Sequence, residues 1–125
     1  MTPDIRSGDV WRSEQGKRLV TVVPNSEYKG YGLDGSRDVV FRGATGAVMI
    51  STAGNFLKRR TLIERGGVRI GDVRKDHVPL IVVKIEHDHA GCDSHPADGG
   101  GLTWIPLDVV AAMPLLTRDG KAVTP

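Results

Sequence analysis

Between Ile5 and Glu64 the chain alternates short apolar runs with residues that break them. The runs read Ile-Arg-Ser-Gly-Asp-Val-Trp-Arg, Lys-Arg-Leu-Val-Thr-Val-Val, Asp-Val-Val-Phe-Arg, Ala-Val-Met-Ile-Ser and Phe-Leu-Lys-Arg-Arg-Thr-Leu-Ile-Glu. Val and Ile dominate them, and Gly, Pro and Asn separate them. That is the spacing of strands joined by turns. This pattern constrains the chain more than any other feature, because it sets a mostly β fold before any single residue is weighed.

Taken in order, Gly8-Asp9 is a turn signal ahead of Val10-Trp11-Arg12, and 13–16 reads as a hairpin connection. Lys17 to Val23 is the clearest early strand, with at least one well-buried face, and Pro24 ends it. A polar loop from Asn25 to Arg37 follows, of a length often tied to function. Asp38–Arg42 and Ala47–Ser51 read as a hairpin joined through 43–46. Phe56-Leu57 and Leu62-Ile63 bring apolar side chains back to the core.

Gly66-Gly67 is the natural break between two patterned regions, so two units are expected, 1–66 and 67–125. Val68-Arg-Ile-Gly-Asp-Val-Arg echoes Ile5-Arg-Ser-Gly-Asp-Val-Trp-Arg, and Pro79–Glu86 echoes the Lys17–Val23 strand. Pro114-Leu-Leu-Thr-Arg matches Thr61-Leu-Ile-Glu-Arg. Leu102–Leu107 reads as a strand, with a short helical turn after it and Asp108 as its cap. The order of these matches points to an internal duplication. No obvious counterpart of the Asp38–Ser51 hairpin follows Glu86. Either the second unit is incomplete and leans on the first, or its third strand lies within the polar stretch 87–101.

With 125 residues, 39% of them apolar and 5% aromatic, a modest core is expected. Packing of the two units on one another follows from the little core that each can bury alone. The net charge of +2 is unevenly spread: 11 Lys/Arg and 7 Asp/Glu through Gly66, then 6 and 8. The first half therefore suits an anionic partner better. Cys92 is the sole cysteine, which fits a reducing cytoplasm. No apolar run suits a signal peptide or reaches the roughly 20 residues of a membrane span. A cytoplasmic protein without membrane association is expected.

The first unit resembles a small SH3-like (KOW-like) β-barrel. More narrowly, it is similar to accessory proteins of actinobacteria and their phages of the Gly-Asp-Val-Trp type. The matching residues are Gly8-Asp9-Val10-Trp11, Val20 to Val23, Val39-Val40-Phe41-Arg42, and Phe56-Leu57 with Leu62-Ile63. The resemblance implies a five-stranded barrel and a binding role. It brings no catalytic motif. Arg74 stands where the repeat would place a partner of Trp11, so Trp104 is expected to fill the core of a divergent, degenerate second unit.

Two clusters could carry chemistry. His87, His89, Cys92 and His95 supply zinc-type ligands, with His87 and His89 on one side if the strand runs through them. A catalytic Cys92 is disfavoured, because Asp88 and Asp93 nearby oppose a thiolate. The second cluster is Tyr28, Lys29, Tyr31 and Arg37 with Arg42, Lys58, Arg59 and Arg60. Loop aromatics beside basic groups serve protein interfaces, and they serve nucleic acids equally. Trp11, Phe41 and Phe56 are expected inside.

The expectation is thus two tandem SH3-like small-barrel units. They would form a non-enzymatic binding module of phage or mobile-element type that recognises a host protein through the second cluster, with no cofactor. A nucleic-acid-binding barrel, a zinc-stabilised module and a sponge for a small anionic ligand such as a nucleotide are the alternatives.

Overall fold

The computed structural model describes residues 4–15, 17–28, 38–93 and 102–123. The chain divides between Leu62 and Ile63 into two compact units, and the described residues form two six-stranded sheets whose pairings are antiparallel. Among the described residues short helices are the only other regular elements, and none is long and apolar enough to cross a membrane.

The first unit contains β1 (Val10–Ser13), β2 (Leu19–Val22), a 3-10 turn at Asn25–Glu27, β3 (Asp38–Arg42), β4 (Val48–Thr52), α1 (Ala53–Leu57) and the start of β5 (Arg60–Arg65). Val20 and Val22 are buried while Leu19 and Thr21 face out, the period-two pattern of a strand with one covered face. Trp11, Val20, Val22, Val39, Phe41 and Phe56 make the core. Phe56 sits at its centre, 5.5 Å from Trp11 edge-on and 5.2 Å from Phe41 in a tilted pair. Such geometries set the positive ring edge against the negative face. Phe56 reaches this place because α1 starts at a capped end: the Thr52 hydroxyl accepts a hydrogen bond from the Asn55 amide at 3.3 Å.

The second unit contains the end of β5, then β6 (Val68–Arg69), β7 (Val73–Lys75), β8 (Pro79–Glu86), β9 (His89–Asp93), β10 (Thr103–Pro106), α2 (Leu107–Ala112), β11 (Leu115–Arg118) and β12 (Lys121–Ala122). The third strand therefore lies inside the polar stretch after Glu86, where sequence alone left its existence open. The second sheet diverges in sequence but keeps six strands.

The two sheets repeat one topology. The sheet orders are β4-β3-β2-β1-β5-β6 and β10-β9-β8-β7-β11-β12, element for element the same. The match extends to single hydrogen bonds. Gly8 and Gly71 both stand at φ +93°, where a side chain is strained, and their amides donate to Val22 O and Val82 O at 2.7 and 2.8 Å. The Asp9 and Asp72 carboxylates each accept from the amide three residues earlier, Arg6 at 2.8 Å and Arg69 at 3.1 Å. Phe56 on α1 and Val110 on α2 are both fully buried.

Gly66-Gly67 forms the two-residue turn of the β5–β6 hairpin, with φ of +61° and +82°; Asp119-Gly120 repeats it between β11 and β12. Three expectations are corrected. Trp104 does not fill the second core: it is 44% exposed on β10, its ring lying over Gly91, where a Cβ would come within 3.3 Å. Arg74 takes the buried place of Trp11 instead and donates to Gly67 O, Met113 O, Ala111 O and the Asp72 carboxylate at 2.8 to 3.3 Å. Asp108 lies in the first turn of α2 rather than at its cap, which is Pro106. The barrel implied by the resemblance is not closed, since β4 and β6 end one sheet order and β10 and β12 the other.

Candidate binding face of the first unit

Of the second cluster, Lys29, Tyr31 and Arg37 lie outside the described residues. Tyr28 follows the 3-10 turn half-buried, its amide donating to Asn25 O at 3.1 Å. Arg42 pairs with Glu27 at 3.1 Å, which neutralises part of its charge. Lys58 and Arg59 project into solvent from the turn between α1 and β5.

Arg60 is more embedded. Its guanidinium lies 4.6 Å from the Phe56 ring centroid and 5.0 Å from that of Phe41, and Nη1 donates to Phe56 O at 3.3 Å. A guanidinium over aromatic faces is attracted by the ring quadrupole. Its Nε is buried without a hydrogen-bond partner.

The fold adds three residues that sequence reasoning missed. The Glu14 amide donates to Arg59 O at 2.9 Å, which ties the β1–β2 hairpin to the α1–β5 turn. Arg12, Lys17 and Arg18 on the hairpin thereby join Lys58, Arg59 and Arg60. Those two segments hold six cationic side chains and one carboxylate, Glu14. Among the described residues none of the six forms an ion pair. The available signal was the Lys17-Arg18 pair opening a strand, but nothing local links it to residues 58–60.

Beside this basic end lies a pocket of about 900 Å³. Leu19, Phe41, Ala44, Ala47 and Met49 give it apolar walls, and Arg18 and Arg60 are the charged residues, with no carboxylate, among the described residues that line it. Leu19 and Met49 are 41% and 40% exposed. Met49 folds over Gly43, its Cε 3.2 Å from where a Cβ would stand. A smaller depression of about 370 Å³ shares Ser13 and is lined by Arg12, Glu14, Lys17 and Thr61.

The zinc-type cluster is not assembled by its described members. His87 sits in the turn between β8 and β9 at φ +52°, not on an extended strand. His89 and Cys92 are three apart on β9 and so point to opposite faces; His89 is exposed and Cys92 is buried. Burial pushes the Cys92 thiol up from its usual range, which disfavours the thiolate a metal needs. Among the described residues no group of three or more His, Cys, Asp or Glu is placed to hold a metal ion. His95 lies outside them.

No family model, no curated protein and no solved structure matches this chain.

Proposed function

We propose that this chain is a non-enzymatic binding module that recognises a protein through the basic end of its first unit. The observation that carries the reading is the joining of two cationic segments by the Glu14–Arg59 hydrogen bond, with no ion pair to neutralise them among the described residues. Uncompensated charge of one sign destabilises a surface, so its grouping beside an open apolar pocket fits a surface shaped for an oppositely charged partner. The resemblance to Gly-Asp-Val-Trp accessory proteins supports a phage or mobile-element setting, a bacterial cytoplasm and a host protein as the partner.

Phosphates would also answer the charge, but base stacking needs open aromatic faces. In the first unit Trp11, Phe41 and Phe56 are buried and Tyr28 is half-buried. Among the described residues the open apolar side chains beside the cations, Leu19 and Met49, are not aromatic, which favours a protein surface.

The test is capture from a bacterial lysate by the tagged chain, with and without nuclease, alongside a Lys17→Glu/Lys58→Glu variant. Both positions are exposed, so the variant should melt within a few degrees of the parent. A protein retained after nuclease and lost with the variant supports the reading. Capture that disappears with nuclease would transfer the face to nucleic acid.

A further inference from the structure

The pocket beside the basic end can be assigned a ligand chemistry, resting on the protein-binding reading above. We infer that it seats an apolar side chain from an acidic segment of the partner, with carboxylates beside that side chain pairing with Arg18 and Arg60.

The apolar half of the argument comes from Leu19 and Met49. Each leaves about two-fifths of its surface in water although the core lies beside it. Covering such surface is favourable in proportion to the apolar area removed from water. A volume of about 900 Å³ is at the upper end for a site that takes a compact group, so one bulky side chain and its flanking backbone fit. Met49 is unbranched and rests on Gly43 rather than in a packed layer, so it can move to suit the shape that enters.

The charged half comes from the two arginines. Arg60 is held by the Phe41 and Phe56 rings and by Phe56 O, which fixes its guanidinium before any ligand arrives. Among the described residues Arg18, exposed on the other side of the lining, forms no ion pair. A guanidinium presents a fork that matches a carboxylate. Among the described lining residues none is acidic, so an acidic segment meets no like charge from them, whereas a basic one would face both arginines.

The experiment is selection from a displayed random-peptide library on the full chain, then fluorescence anisotropy of the enriched peptides. Peptides combining acidic residues with one bulky apolar residue should emerge. Replacing that apolar residue with Ala, or testing Met49→Asp, should weaken binding about tenfold or more. Ala47→Glu is a second variant at an exposed lining position, for use if Met49→Asp melts early. Arg18→Glu should weaken binding and flatten its salt dependence. No enrichment, enrichment of basic or neutral peptides, or equal binding by Met49→Asp and Ala47→Glu would overturn the assignment. A lysate protein that survives nuclease and is held equally by Ala47→Glu would leave the protein-binding reading standing while removing the pocket from it.

Discussion

Arg118 grips Asp72 with both arms of its guanidinium: Nε donates to Oδ1 at 3.0 Å and Nη2 to Oδ2 at 2.9 Å. Asp72 is fully buried and takes two further hydrogen bonds, from the Arg69 amide at 3.1 Å and Arg74 at 3.3 Å. Arg118 Nη2 and Arg74 Nη2 also meet on Gly67 O at 2.8 Å each. One carboxylate thus draws β7, β11 and the β5–β6 turn together within the second unit.

Burial by itself would raise the Asp72 carboxyl, but hydrogen bonds from Arg118, the Arg69 amide and Arg74 outweigh it and hold the group below the usual carboxylate range. A depressed folded-state pKa stabilises the fold above the unfolded value and loses that contribution as pH falls through the folded value. The loss should begin below about pH 4. Asp72→Asn should be less stable at pH 7 by about 3–5 kcal/mol, because it leaves two guanidinium groups without their buried counter-ion. Urea midpoints at pH 7 and pH 3 check this: the gap between parent and variant should narrow at the lower pH.

Phe56 is the largest fully buried side chain, and it contacts Trp11, Phe41 and Arg60. Phe56→Ala should cost about 3–5 kcal/mol through lost transfer energy and the cavity left behind. The readout is urea denaturation. A loss below about 1 kcal/mol would contradict its central place in the core.

The two tryptophans should separate in fluorescence. Trp11 is 7% exposed and Trp104 is 44% exposed. Acrylamide should quench one fraction of the native emission readily, and Trp104→Phe should remove that fraction while leaving the protected one.

Cys92 should resist a thiol reagent at neutral pH until denaturant is added, since it is 1% exposed and its thiol is pushed up by burial. Fast labelling of the native protein would contradict that placement.

Gly91 should tolerate no large side chain. A Cβ there would stand 3.0 Å from Leu102 and 3.3 Å from the Trp104 ring. Gly91→Val should displace the indole, read as a changed Trp104 emission and a lower melting temperature.

Much of the strand inventory was legible because period-two burial leaves its mark on adjacent residues. Pro79–Glu86 was read with its full bounds, and the pairing of Thr61–Arg65 with Pro114–Arg118 as equivalent segments is matched by β5 and β11 holding the same place in their sheet orders. The strand at His89–Asp93 stayed an open alternative in the sequence because its residues are His, Ala, Gly, Cys and Asp, with no β-branched side chain to mark it. Its burial comes from lying between β8 and β10. Trp104 misled for a related reason. A tryptophan in a chain with few aromatics suggests core, yet Gly91 on the adjacent strand gives its ring a place to lie on the outside of the sheet.

The sequence by itself determined the β class, the repeated Gly-Asp turns and most strand positions, since these depend on residues close together in the chain. Only the tertiary structure decided that Arg74 could stand in for Trp11, and that Arg12, Lys17 and Arg18 share an end with Lys58, Arg59 and Arg60. Both depend on contacts between segments distant in sequence. A buried guanidinium is tolerable only where carbonyls from Gly67, Ala111 and Met113 converge on it, and two cationic runs become one face only when a hydrogen bond from Glu14 to Arg59 closes the distance between them.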